Sequence, residues 1–372
     1  MNTDERDMDR LLDERHIIVC TGAGGVGKTT TSAALALRAA DRGRRAIVCT
    51  IDPARRLAQS MGLEDLSNEP KLVAARVRSP RGELHAMMLD MKRTFDDMVL
   101  EMTTRERAEQ IFANPFYRHV SSTLAGTQEY MAMEKLWELH ELGRWELIVI
   151  DTPPTRSALD FLDAPKRLTD FLQGRFLRLM LWPSMKAGAG GLKVLNMGMN
   201  VALRAVTKIT GSELLGDVAA FFQAFEGMYE HFKHRSMRVR ELLQGRHTAF
   251  IVVSAPTGPS LREARYFADR LRDESMPLGG VLVNRSHELA EVRGLEDARA
   301  MASRIDSQPL ADALAAYADR QVLAAREDRL VGATLGPLQD VPVWRVPELD
   351  DEVTDLRSLR EVGELVASAS AR

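Results

Sequence analysis

A glycine-rich segment between two regular runs constrains the fold of this chain more than any other feature. Residues 16–21 (HIIVCT) are largely apolar and typical of a short buried strand, whereas residues 29–42 are rich in Ala and Leu and typical of a helix. Between them, the spacing from Gly22 to Thr29 matches the pattern G-x-x-x-x-G-K-[ST]. Glycines let the backbone bend so that successive N–H groups point at anionic oxygens. The segment therefore predicts a phosphate-binding loop rather than an ordinary glycine turn.

The same loop supplies the candidate nucleotide-binding residues. Lys28 is placed to provide a positive charge for the β- and γ-phosphates of a nucleotide, and the Thr29 hydroxyl is placed to bind Mg²⁺. The helix that begins near Lys28 adds the positive end of its dipole. The candidates in this loop are Gly22, Gly24, Gly25, Val26, Gly27, Lys28, Thr29 and Thr30.

Two predicted strands end in an aspartate. Asp52 follows the apolar run at 45–51, and Asp151 follows the apolar run at 145–150. The carboxyl ends of parallel strands are where ligands bind in such folds. An aspartate like Asp151, after an apolar strand, is the Walker B pattern, which directs a carboxylate to the Mg²⁺ shell.

Asp52 has three candidate roles. It can orient or activate the water that attacks the γ-phosphate, hold Mg²⁺ through a water, or cap the helix that follows it. We take Asp52 and Lys28 as candidate catalytic residues. The candidate Mg²⁺ ligands are Thr29, Asp52 and Asp151.

Strands that alternate with helices along the chain indicate the fold class. Further strands are predicted at 84–90, 248–254 and 278–283. The predicted helices cover 29–42, 91–145 with breaks near 114 and 143, 260–273, 288–330 and 351–369. This order predicts an α/β P-loop NTPase fold, with a mostly parallel sheet and helices on both of its faces.

Three segments together resemble the motifs of a known family. Residues 24–30 (GGVGKTT), 50–54 (TIDPA) and 151–155 (DTPPT) are similar to those of the ArsA family of ATPases. That family comprises arsenical-pump ATPases and relatives that target tail-anchored proteins, within the class of MinD, ParA and the nitrogenase iron protein. The resemblance implies ATP and Mg²⁺ as cofactors. It also implies that Asp52 is the switch I carboxylate that positions the hydrolytic water, and that residues 151–155 are the γ-phosphate-sensing switch II, continued by a helix at 157–165.

The resemblance extends to the C-terminal part of the chain. Residues 280–285 (GVLVNR) are similar to the family strand that ends in an adenine-contacting asparagine, which implies that Asn284 contacts the base. Residues 341–347 (VPVWRVP) are similar to the last strand of the family and the loop beside the base. Pro347 is therefore a further candidate contact.

One position departs from the family pattern. The family has a second lysine near the start of the loop, where this chain has Ala23. In relatives that lysine reaches across a dimer interface to the partner's nucleotide and stabilises charge that develops in phosphoryl transfer. Three outcomes stay open: slow hydrolysis in a binding switch, replacement by a cation such as Arg55, Arg56 or Arg156, and pairing with an ArsA-type subunit that carries the lysine. We expect a homo- or heterodimer and favour the last outcome.

The sequence also suggests how the chain is organised. Residues 1–15 form a charged N-terminal segment, and residues 16–372 form a single P-loop ATPase domain with an inserted apolar helical subdomain at 171–235. In targeting relatives, helices inserted after switch II form a hydrophobic groove for client segments, and the methionines of this stretch suit an adaptable groove. Packing of these helices against each other or the sheet is the simpler explanation.

Composition and charge limit the partners. The formal net charge of -3 provides no electrostatic case for nucleic acid. Cys20 and Cys49 form no CxxC pair, which argues against a zinc site, and no cysteine cluster for arsenite is visible. No apolar run approaches the ~20 residues that span a bilayer. We therefore expect a cytoplasmic protein, with contact at the inner face of the membrane as an option.

These features predict an ATP-hydrolysing switch of the ArsA type, which couples hydrolysis to the handling of a hydrophobic client or a membrane partner. Two alternatives stay open. One is the energising ATPase subunit of an anion or metalloid (arsenite) exporter, and the other is a non-hydrolysing nucleotide sensor paired with an active subunit.

Overall fold

The computed structural model describes residues 8–52, 56–73, 77–115, 117–118, 127–153, 217, 221, 229–289 and 300–369. The chain divides into two compact units. The sheet unit comprises Met1–Leu89, Glu138–Leu159 and Leu242–Arg372, and the helical unit comprises Asp90–Trp137 and Asp160–Glu241. The predicted helical subdomain at 171–235 lies outside the described residues, apart from residues 217, 221 and 229–235.

The sheet unit is built on one sheet whose order confirms the predicted parallel architecture. Its strands run in the order β3-β4-β2-β5-β1-β6-β7-β8. Neighbouring strands pair in parallel, except that β3 pairs with β4 in antiparallel orientation at one edge. The strands are β1 (Ile17–Gly22), β2 (Arg45–Thr50), β3 (Lys71–Leu72), β4 (Glu83–Met88), β5 (Leu147–Asp151), β6 (Thr248–Ser254), β7 (Leu278–Ser286) and β8 (Val343–Pro347).

The described helices fall in both units. In chain order they are α1 (Met8–Glu14), α2 (Lys28–Asp41), α3 (Arg56–Ser60), α4 (Met91–Met102), α5 (Arg105–Ala113), α6 (Thr127–Glu141), α7 (Tyr229–Gln244), α8 (Gly258–Asp273), α9 (Gln308–Leu335) and α10 (Leu356–Ser368). Helices α4 and α5 belong to the helical unit, as do the larger parts of α6 and α7. The other helices belong to the sheet unit. None of the helices in the described part of the chain combines the length and apolar character that a membrane span requires.

The central strands are buried at every position, because helices cover both faces of the sheet. Ile18 and Cys20 of β1 belong to the core cluster that includes α2, and Ile17 and Val19, at the alternate positions of the strand, are equally buried. Strands buried on both faces read as continuous apolar runs, which is why they were predictable from sequence. Helix α10 packs closely on α2, since a Cβ added at Gly363 would lie 3.3 Å from the Ala34 carbonyl oxygen.

The charged N-terminal segment includes a helix that packs on the sheet unit. In α1, Met8 and Leu12 are fully buried. The Asp9 carboxylate accepts hydrogen bonds from Arg38 of α2 and from Arg42, which directly follows that helix, with 2.7 Å between Arg38 Nη2 and Asp9 Oδ2. The hydrogen bond from Arg38 lowers the pKa of Asp9. The two buried side chains and these ion pairs hold the N-terminal segment in place. From its composition alone, that segment was known only to be charged.

The helical unit contains a buried polar cluster. Glu134 of α6 is only 5% exposed, and it accepts hydrogen bonds from the Tyr130 hydroxyl and, at 3.1 Å, from Arg235 Nη1 of α7. Burial raises the pKa of Glu134 to about 6. Because a buried carboxylate needs partners, this cluster ties α6 to α7 within the unit.

The structure differs from the predicted elements at several places. The helix predicted over 351–369 begins only at Leu356, and the helix predicted over 91–145 is also interrupted at 103–104. The helix predicted over 288–330 is wrong at its start, because His287–Leu289 are not helical, residues 303–307 interrupt the helix, and α9 begins only at Gln308. Pro309, which suits the first turn of a helix, marks that start. Strand β3 has two residues, too few for a periodic pattern to indicate.

Candidate functional site

The glycine-rich loop joins β1 to α2 and has a backbone that requires glycine at particular positions. Gly22 has φ +147°, and a Cβ added there would lie 2.0 Å from the Val253 carbonyl oxygen. Gly27 is the N-cap of α2 with φ +94°, and its Cβ would lie 2.3 Å from Nδ2 of Asn284. Gly25, with φ +77°, faces open space. The loop therefore wraps tightly against β6 and β7 and leaves room on its outer side.

Lys28 is bound back to the loop that precedes it. Its ammonium donates hydrogen bonds to the Gly22 carbonyl at 3.0 Å and to the Ala23 carbonyl at 2.7 Å. The side chain is buried, which lowers the pKa of Lys28, while the carboxylates of Asp151 and Asp52 oppose that shift. An ammonium has three donors, so two carbonyls orient this cation and leave a donor for a phosphate oxygen.

Asp151 is a fully buried carboxylate at the end of β5. Its Oδ2 accepts hydrogen bonds from the Thr29 hydroxyl at 2.7 Å and from the Thr50 hydroxyl at 2.8 Å. Its Oδ1 is buried and has no hydrogen-bond partner among the described residues. Burial raises the pKa of Asp151 to about 6, although the two hydroxyls and Lys28 favour the charged form.

This arrangement fits a hard cation. A buried oxygen without a partner calls for an explanation, of which a bound ion is one, and oxygen atoms are the ligands that Mg²⁺ takes. Asp151 and the Thr29 hydroxyl are already 2.7 Å apart. The residues predicted to hold Mg²⁺ from the loop and from β5 therefore meet at one point.

Sequence reasoning missed the part that Thr50 plays here. Thr50 ends β2, is buried, and its hydroxyl both donates to Asp151 and accepts the backbone N–H of Asp52 at 3.2 Å. Its only sequence signal was its position immediately before the Ile51–Asp52 pair. Asp52 itself is half-buried at the edge of the cavity described below.

A cavity of about 820 Å³ lies above the loop and the strand ends, within the sheet unit. Small-molecule sites have volumes of roughly 300–1,000 Å³. Eight of the predicted site residues line it: Gly25, Gly27, Lys28, Thr29, Thr30, Asp52, Asn284 and Pro347. The other predicted site residues, Gly22, Gly24, Val26 and Asp151, are not among its lining residues.

Apart from Arg56, which was named as a possible substitute cation, sequence reasoning also missed two walls of the cavity. One is α3, through Arg56, Gln59 and Ser60, and the other is the chain after β8, through residues 348–354. The other residues of these walls carry no motif, so only their position in the fold identifies them. The acidic character of the second wall comes from Glu348, Asp350, Asp351 and Glu352.

Asn284 connects the far side of the site to the loop. It lies on β7, and its Nδ2 donates a hydrogen bond to the Val26 carbonyl at 2.9 Å. Pro347 ends the neighbouring β8 and lines the same cavity. Asn284 and Asp52 thus lie on opposite sides of the glycine-rich loop, because β7 and β2 are on opposite sides of β1.

Several predicted positions lie outside the described residues. They are 53–55, which follow Asp52, and 154–165, which follow Thr152 and Pro153. The suggested substitute cations Arg55 and Arg156 fall in these stretches, whereas Arg56 is described. The roles of the switch segments therefore stay predictions.

The comparisons with known proteins agree with one another on an ATPase family. The profile of the family described as "Anion-transporting ATPase" matches residues 15–310. The chain is 27% identical over 290 residues to "ATPase GET3B" of Arabidopsis thaliana, a match that covers 73% of this chain and 64% of that protein. It is 26% identical over 265 residues to "ATPase ASNA1 homolog" of Cryptosporidium parvum, which covers 71% and 63% respectively.

A further relative carries a different name. The "Putative arsenical pump-driving ATPase" of Prosthecochloris vibrioformis is 29% identical over 157 residues, which covers 41% of this chain and 36% of that protein. The chain thus spans less than two thirds of the length of each of these three relatives.

Proposed function

The chain belongs to the ArsA ATPase family, and we propose that it binds ATP with Mg²⁺ and hydrolyses it as a molecular switch. One observation carries the proposal. Asp151 has one buried carboxylate oxygen with no partner among the described residues, and its other oxygen accepts a hydrogen bond from the Thr29 hydroxyl. Thr29 in turn lines the cavity together with Lys28 and Asp52.

The positions of the strands give ATP a direction in this cavity. Asn284 and Pro347 lie on the β7–β8 side of the loop, where the base binds in our proposal. The phosphates follow the N–H groups of the loop, and the γ-phosphate points towards β2 and Asp52. Lys28, held over the loop by two carbonyls, contacts the β- and γ-phosphates.

The reaction is the transfer of the γ-phosphoryl group to water. The oxygen of a water forms a bond to the γ-phosphorus, and the bond from that phosphorus to the β–γ bridging oxygen breaks, with its electron pair leaving on ADP. Asp52 orients the water and accepts its proton, so the products are ADP, phosphate and a proton. When bound, Mg²⁺ supplies charge compensation for the phosphate oxygens. Thr29 and Asp151 are the residues that would hold it.

We propose that the output of the switch is a change in affinity for a hydrophobic client or a membrane partner. The described structure supports the nucleotide site, and the apolar helices at 171–235 that would form a client groove stay a prediction. We further propose that the chain works as a dimer. Because Ala23 carries no charge, a partner subunit with a lysine at that position would complete the site on this chain.

Two other functions fit some of the observations. Ala23 favours a nucleotide sensor that does not hydrolyse ATP, and the arsenical-pump name of one relative favours an exporter subunit. Cys20 and Cys49, the two cysteines of the chain, are both buried, which leaves no thiol pair at the surface for arsenite. The exporter role therefore has less support. The geometry of Asp52, Lys28 and Asp151 favours hydrolysis over the sensor.

Two substitutions test the proposal. Asp52→Asn is expected to lower kcat by at least about 10²-fold, because it removes the proton acceptor, while ATP affinity is retained. Lys28→Ala is expected to weaken ATP binding itself. Asp306→Asn makes the same change as Asp52→Asn at an exposed residue outside the cavity and serves as the control.

Turnover is measured as phosphate release and affinity by calorimetry. The purified chain is used alone and then with its native partner, since the missing lysine makes a partner subunit part of the proposal. Absence of ATP binding by the wild type would refute the whole proposal. ATP binding without hydrolysis in either setting would favour the sensor.

A further inference from the structure

The cavity contains an arginine that the proposed reaction has not used. Among the residues that line it, the basic side chains are Lys28, Arg56 and Arg285. We propose that Arg56 binds the γ-phosphate of ATP and stabilises the charge that develops on it during transfer. This inference rests on the proposed function and adds a second catalytic cation to it.

The strand order places Arg56 at the γ-phosphate end. It is the first residue of α3 and follows Asp52 by four positions, after strand β2. Strand β2 is two strands from β1, with β5 between them, whereas β7 is two strands from β1 on the other side. Since neighbouring strands are about 4.8 Å apart, each side lies ~10 Å from the loop. A nucleotide whose base lies near Asn284 therefore extends its last phosphate towards Arg56.

Arg285 occupies the other end of the same cavity. It follows Asn284 directly on β7 and has φ +57°. Because Arg285 lies beside the residue predicted to contact the base, it is away from the phosphates. The two arginines of the cavity wall thus lie at opposite ends, and only Arg56 shares its end with Asp52.

The Arg56 guanidinium is available for a ligand. Its side chain is exposed, and within the described chain no hydrogen bond or ion pair joins it to another residue. Other arginines of the sheet unit are engaged, as Arg38 is by Asp9 and Arg360 is by Asp41. Binding a phosphate would therefore break no existing pair.

The chemistry of the loop leaves a need for this charge. Lys28 is the one basic residue of the loop at 22–30, and two of its three donors already go to the carbonyls of Gly22 and Ala23. A guanidinium presents a planar fork of donors to two phosphate oxygens at once. As the γ-phosphoryl group transfers, negative charge redistributes over its oxygens, and a cation placed beside them stabilises that charge.

The proposed contact predicts that substituting Arg56 affects the binding of ATP more than that of ADP, because only ATP has the phosphate that Arg56 contacts. In Arg56→Gln we expect affinity for a non-hydrolysable ATP analogue to fall by about tenfold or more, and affinity for ADP to change by less than about twofold. We expect kcat to fall by about 10²-fold. Arg56→Lys, which keeps the charge but not the fork, should recover part of both losses.

The experiment uses the full chain, with calorimetry for the two nucleotides and phosphate release for turnover. Arg320→Gln removes the same charge from an exposed position of α9 outside the cavity and is the matched control. Because Arg56 is exposed and has no partner among the described residues, unfolding of the variant is not expected, and its melting temperature checks this.

The outcomes distinguish this inference from the proposed function. Equal losses for ATP and ADP, or no loss in either, would overturn the role of Arg56 while a hydrolysing wild type keeps the proposed function. A wild type that binds ATP without turnover fails the proposed function, and selective loss of ATP affinity in Arg56→Gln would still support the contact. A wild type that binds neither nucleotide overturns both.

Discussion

The buried carboxylate of Asp151 should make the ligand-free protein less stable at neutral pH, and Asp151→Asn should reveal by how much. Burial raises the pKa of Asp151 to about 6, whereas an aspartate in an unfolded chain titrates near 3.9. Below about pH 3 the carboxyl is mostly protonated in both states and makes little difference. As the pH rises the unfolded chain ionises first, so the cost to the folded state grows, and it is complete above about pH 6.

The magnitude follows from the two pKa values. A difference of about 2 pKa units corresponds to a cost of about 3 kcal/mol at pH 7 and about 1.5 kcal/mol at pH 5. The asparagine keeps an oxygen for the hydroxyls of Thr29 and Thr50. Its amide nitrogen takes the place of Oδ1, which has no partner in the part of the chain that the structure describes. That nitrogen costs about 1–3 kcal/mol at any pH. The absolute stability is therefore less informative than its change with pH.

We expect the stability of Asp151→Asn relative to the wild type to increase by about 1.5 kcal/mol from pH 5 to pH 7. Urea unfolding without nucleotide or Mg²⁺ measures it, with Asp306→Asn at the surface as the control for loss of one negative charge. A relative stability that does not change with pH, or that falls, would refute the view that desolvation dominates at Asp151. The same variant should lose the Mg²⁺-dependent part of ATP binding, which calorimetry with and without Mg²⁺ detects.

Two further substitutions test the loop and a helix end. Gly27→Ala is expected to destabilise the protein by about 1–2 kcal/mol, since φ is +94° and the new Cβ would meet Asn284. It should also weaken nucleotide binding, so a variant that binds ATP as the wild type does would contradict the geometry of the loop. Asp355→Ala removes the side chain that accepts the Ser358 backbone N–H at the start of α10, and the melting temperature at pH 7 should fall. That N–H lowers the pKa of Asp355, so the effect of the substitution should fade as the carboxyl protonates at low pH, and a constant difference would argue against capping.

The fold was largely predictable because its signals are local. The apolar runs of β1, β2, β5 and β6 are buried on both faces, so each one indicates a strand without reference to distant residues. Prediction failed where packing rather than propensity decides. The Ala-rich stretch before Gln308 has helical composition but is interrupted at 303–307, and the paired strand β3 is too short to show a period.

The candidate site was likewise only partly predictable from the sequence. The loop spacing and the aspartates that follow two apolar strands identify Lys28, Asp52 and Asp151, because a motif of eight residues and a strand end are local features. The wall formed by residues 348–354 carries no motif, so it becomes visible only in the folded chain. Arg56 was one of three candidate cations in the sequence, and only the structure places it in the cavity.

The sequence by itself determined the phosphate-binding loop, the order of strands and helices and the acidic strand ends, since these depend on residues close together in the chain. The tertiary structure alone decided which groups meet. Asn284 binds the Val26 carbonyl across 258 residues, and Thr50 binds Asp151 across 101. Contacts of that range depend on the register of parallel strands, which the pairing of whole strands sets and which no local pattern contains.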